Sequence, residues 1–151
     1  MRKVALYGTL AAVLATLAHV LHGISHVEHQ VPLAAWQWAY VIFVIFLAPV
    51  VAAVLLWTRL RRVGVWLLVA SMAGALIFGL AFHFLASGPD NVFTLNPGAG
   101  REAFRSSAAL VVLTEALGCV AGIWALSKLP RSEEGVAETV KPRRSSEEEV
   151  R

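Results

Sequence analysis

Within the stretch AHVLHGISHVEHQ, the eleven residues from His19 to His29 hold four histidines: His19, His22, His26 and His29. An imidazole gains little from hydrocarbon, so such a cluster at the end of an apolar run calls for polar partners. On a helix turning 100° per residue the four rings fall within an arc of about 80°, one stripe on one face. His19 and His22 are spaced i, i+3 and His22 and His26 i, i+4, so neighbouring rings can share one ion. Glu28 falls on the far side, roughly 180° from His19, and faces away from the row.

Two further residues interrupt long stretches otherwise free of histidine and charge: His83 and Glu115. Imidazole nitrogen with carboxylate oxygen suits Zn²⁺, Cu²⁺ or Fe²⁺, and the absence of a nearby cysteine argues against a Cu(I) thiolate centre. The candidate metal ligands are therefore His19, His22, His26, His83 and Glu115. Met72 shares a face with His83 but lies about three turns deeper, outside that shell.

Haem b is the alternative cofactor, with His22 and His83 as axial ligands at matching depth and a planar slot between two helices. A third reading needs no cofactor: the same groups form a structural hydrogen-bond network or respond to external protons. A fourth is a structural subunit that joins a homo-oligomer or larger membrane complex through glycine-rich helix faces. Asp90 and Asn91, directly after the His83 segment, are placed to accept from an imidazole or to shape a plain turn. No phosphate loop, dinucleotide-binding glycine motif, nucleophile elbow or HExxH is present, and HVEH falls short of the separated histidine boxes of a membrane di-iron oxygenase. Substrate turnover is not implied. The single cysteine, Cys119, excludes an intrachain disulfide.

The elements that must position these groups are written in the apolarity. The chain has 151 residues, 58% of them hydrophobic, with a mean hydropathy of +0.67, outside the range of soluble domains. Four segments are long enough to cross about 30 Å of hydrocarbon: 4–26, 36–58 within a charge-free run from 31, 63–87 and 106–127. Backbone groups in lipid must be satisfied within each segment, so the expected fold is all-α: an up-down-up-down four-helix transmembrane bundle over residues 1–127. Residues 128–151 carry six charges of each sign and almost no large apolar side chain, and read as a disordered tail.

Arg2, Lys3, Arg59, Arg61, Arg62, Lys128 and Arg131 fall on one side of such a bundle, which puts both termini in the cytoplasm of a cell-membrane protein. Trp36, Trp38 and Tyr40 mark the outer interface and Tyr7, Trp57, Trp66 and Trp124 the inner one. Basic residues that flank spans leave no soluble face for nucleic acid; the expected partner is the bilayer. A signal peptide cleaved after Ala18 fits the first residues as well, but the apolar run continues past that point and favours a retained span.

In this topology His19 and His22 of the first span, His83 of the third and Glu115 of the fourth converge on the outer half of the bundle. Pro49 is expected to kink the second span. Gly118 and Gly122 form a GxxxG pair that brings helix backbones close, within the bundle or between copies.

Overall fold

The structure is a computed structural model that describes residues 2–129. The tail expected at 128–151 lies outside the described residues apart from Lys128 and Leu129. Among the described residues the chain is helical without strands, and four helices are long and apolar enough to cross a membrane: α1 (Arg2–Glu28), α2 (Ala35–Leu56), α3 (Arg61–Leu85) and α4 (Arg101–Ser127). α1 packs on α4, α4 on α3, α3 on α2, and α2 closes the ring against α1, so α1 and α3 sit diagonally.

The reason these helices bundle is a seam of alternating three- and four-residue steps, the spacing that keeps one face toward the core. On α1 the buried positions Ala5, Gly8, Ala12 and Ala15 follow it, and the next steps are His19, His22 and His26. The histidine stripe is thus the upper half of a core seam whose lower half is alanine and glycine. On α4 the same steps run through Phe104, Ala108, Val111, Glu115, Gly118, Gly122 and Ala125, all buried.

Close packing explains the glycines. A Cβ on Gly118 would stand 2.6 Å from the Met72 sulfur, and one on Gly122 would stand 2.5 Å from Val69 Cγ2. This GxxxG pair therefore serves packing of α4 on α3 within the chain.

α2 and α3 each contain a turn of wider π-helix, at Val41–Leu47 and Ala81–Leu85. The first ends where Pro49 lacks an N–H, and Ala48 N–H donates to the Phe43 carbonyl five residues back. The second has a positional consequence. After Val65, Leu68, Met72, Ala75 and Gly79, the seam of α3 asks for Phe82; the π turn gives the inward position to His83, which is buried, while Phe82 is only partly so.

The connection from Ala86 to Gly100 folds back over the histidine end of the bundle. Val92 N–H donates to the His83 carbonyl at 2.9 Å, and His29 Nδ1–H donates to the Ala99 carbonyl at 3.0 Å. Val92 and Leu95 are buried against Val31, Phe104 and Ala108. Gly100 (φ +80°) precedes α4 in the left-handed region, where a side chain would be strained.

Candidate metal centre

Three imidazoles meet at this end. His22 Nε2 lies 3.0 Å from His83 Nε2 and 3.2 Å from His26 Nε2, and the ligating nitrogens of all three lie within 4.8 Å of one another. His22 and His83 are buried, whereas His26 is half-buried at the rim. Phe104, fully buried, packs beneath the group, with ring centroids 4.9, 4.8 and 5.8 Å from those of His22, His26 and His83.

What each imidazole does with its other nitrogen decides the chemistry. A backbone carbonyl can only accept, so His83 Nδ1 carries its proton toward the Asp90 carbonyl at 3.2 Å and His26 Nδ1 carries its proton toward the Val31 carbonyl at 3.2 Å. His22 Nδ1 stands 3.0 Å from Ser107 Oγ, a hydroxyl able to accept from a ring N–H, and Ser107 Oγ also lies 3.1 Å from the Phe104 carbonyl. Ser25 Oγ lies 2.7 Å from Ser107 Oγ and extends the chain. With Ser107 accepting, neutral rings leave three Nε2 lone pairs close together. One proton on His22 Nε2 satisfies one of the two contacts well; a cation satisfies all three nitrogens.

The spacing is near what an ion requires. Metal–nitrogen bonds of about 2.0–2.1 Å at tetrahedral angles set nitrogens about 3.3 Å apart; the His22–His83 and His22–His26 pairs stand at 3.0 and 3.2 Å, and all three nitrogens lie within 4.8 Å. Outward Nδ1–H bonds to carbonyl or hydroxyl are the arrangement that orients histidine ligands and raises their basicity.

His19 and Glu115 do not join this group. They pair with each other, His19 Nε2 to Glu115 Oε1 at 2.7 Å, both buried, while Glu115 Oε2 is buried without a hydrogen-bond partner. The hydrogen bond between them gives His19 Nε2 and Glu115 Oε1 a partner without an ion, and leaves Oε2 unpaired. His29 is tied to Ala99 and stands apart. Met72 lies in the lower core, under Gly118.

Asp90 and Asn91 divide the two roles expected of them. Asp90 supports His83 through its backbone carbonyl; Asn91 shapes the turn, its Nδ2–H donating to the Ala86 carbonyl and its Oδ1 accepting from Phe93 N–H, both at 2.9 Å. The Asp90 side chain is buried and its Oδ1 has no hydrogen-bond partner. Burial pushes its carboxyl above the usual carboxylate range, with the neighbouring His26 pulling the other way.

The histidines and Asp90 line a cavity of about 740 Å³ whose remaining walls are apolar, including Ile24, Val41, Ile45 and Phe78. Ser107 and the Val31 carbonyl are the parts sequence reasoning missed. Ser107 was the one within reach: it stands four and eight residues before Val111 and Glu115, on nearly the same face of α4. Searches of protein-family models, curated proteins and solved structures give no match for the chain. The functional reading therefore rests on the site.

Proposed function

We propose that this is an integral membrane protein with both termini cytoplasmic, which holds one divalent transition-metal ion, Zn²⁺, Cu²⁺ or Fe²⁺, near the outer surface through His22, His26 and His83. The observation that carries the reading is the convergence of three Nε2 atoms whose Nδ1 atoms each have an oxygen able to accept within hydrogen-bond distance. Three protein ligands leave a coordination position open, unlike the closed four-ligand shell of a structural zinc site. An open position on an ion beside the cavity that these histidines line suits handling, sensing or transfer of metal and requires no turnover.

The haem alternative fits this packing less well. Two axial nitrogens on one iron stand about 4 Å apart, twice a metal–nitrogen bond of about 2.0 Å, with a porphyrin between them. His22 and His83 are 3.0 Å apart with rings crossed at 81°. Elemental analysis of the purified protein tests the assignment: about one equivalent of metal is expected in the native chain and none in the His22→Ala, His83→Ala double variant, with helical content unchanged. Full occupancy in the folded double variant contradicts the reading, and a Soret band in the native protein replaces it with haem.

A further inference from the structure

The wall of the metal site is more apolar, and the space beside it larger, than one ion requires. α1 and α2 touch at one end and part at the other. Near the first end Gly8 is packed so closely on Leu56 that a Cβ would come within 2.5 Å of it, and Trp57 Nε1–H donates to Thr9 Oγ1 at 2.9 Å. Near the second end Gly23 has nothing within 4 Å of an added Cβ. The space between the helices is the cavity of about 740 Å³, a size that takes an organic ligand. Its back wall is α3, with buried Phe78 and Ala75; its rim includes Ile24 on α1 and Trp38 on α2, each more than half exposed. With the helices in a bilayer, Ile24 faces acyl chains and Trp38 the outer interface, and the cavity opens laterally into the outer leaflet.

At its polar end the cavity meets the imidazoles and Asp90, whose buried Oδ1 accepts no hydrogen bond. A buried acceptor without a partner is costly, and the group that relieves it is a donor. A carboxylate head has no proton to give that acceptor; a hydroxyl head donates. We infer that the cavity between α1 and α2 binds a neutral, chain-bearing molecule from the bilayer whose hydroxyl donates to Asp90 while its apolar body lies along Ile24, Val41 and Ile45. The hydroxyl is aliphatic, as in a long-chain alcohol, or phenolic, as in a quinol. This inference rests on membrane insertion of the four helices and not on metal occupancy.

Photolabelling in nanodiscs tests it. The full chain is exposed to dodecan-1-ol carrying a diazirine in its chain, adducts are mapped by peptide mass spectrometry, and metal content is measured on the same samples. Adducts are expected to concentrate on cavity residues of α1 and α2. Gly23→Phe, at a position where an added Cβ meets no atom within 4 Å, should cut them at least five-fold, and Asp90→Ala several-fold. Excess unlabelled dodecanol or a decyl-quinol should compete, and the stronger competitor identifies the head as aliphatic or phenolic. Adducts spread evenly over lipid-facing residues, labelling unchanged in Gly23→Phe, or equal competition by dodecane would overturn the inference. Loss of label with metal retained fails this inference alone, and label without metal fails the metal assignment alone.

Discussion

At the residue scale the site is defined less by its three histidines than by what holds their far nitrogens. The carbonyls of Asp90 and Val31 are backbone and cannot be removed by substitution, but Ser107 can. Ser107→Ala leaves His22 Nδ1 without its acceptor and frees the ring to turn. Loss of a group that holds a ligand's far nitrogen typically costs about 10–100-fold in metal affinity. That fall is the outcome expected in a competition titration with a chromophoric chelator, with stoichiometry still one ion per chain; unchanged affinity would show that Ser107 does not orient the ring. Phe104 is the packing counterpart. Phe104→Ala opens a hole under all three imidazoles and removes a fully buried aromatic, a change that costs about 3–5 kcal/mol in protein cores. It should lower both the melting temperature and metal retention, whereas Ser107→Ala should lower retention alone.

At the element scale the bundle is a set of seams, and glycine sets how near the helices come. Gly118→Leu drives a side chain into Met72, and Gly122→Leu into Val69. Each should destabilise the fold by about 1–3 kcal/mol, the usual cost of overpacking, read as a lower thermal midpoint in detergent. Gly23→Ala meets open space and replaces a poor helix former, so its midpoint should hold or rise. Much of this scale was legible in the sequence. Uninterrupted apolar runs placed the helices, the arc of the α1 histidines placed the stripe, and Gly118 with Gly122 pointed Glu115 inward. Two features were not legible. Periodicity of 3.6 cannot report a π turn, and the π turn decides that His83 instead of Phe82 faces the core. Pairing was open in the sequence, since the depth of His19 and Glu115 asked either for a mutual bond or for a shared ion, and the 2.7 Å contact supplies the first. The 86–100 connection also escaped, because turn formers announce a bend and do not announce that Val92 and Leu95 will be buried under it.

At the scale of the whole molecule two polar centres share one bundle, and they should separate experimentally. Glu115→Leu leaves His19 Nε2 without its partner deep among the helices; breaking such a buried pair typically costs about 3–5 kcal/mol. The expected outcome is a lower melting temperature with metal stoichiometry intact, and loss of the ion would return Glu115 to the ligand set. Orientation is testable in whole cells. In a Cys119→Ala background, a membrane-impermeant maleimide should label Asn96→Cys from outside and leave Ser132→Cys unlabelled until the cells are opened; the reverse pattern would invert the proposed topology. The central claim is tested most directly by X-ray absorption at the metal edge of the zinc-loaded full chain. Three imidazole nitrogens at about 2.0–2.1 Å with one further light atom are expected. A shell with fewer than three imidazoles, or the same spectrum from the His22→Ala, His83→Ala variant, would contradict the assignment of the ion to His22, His26 and His83.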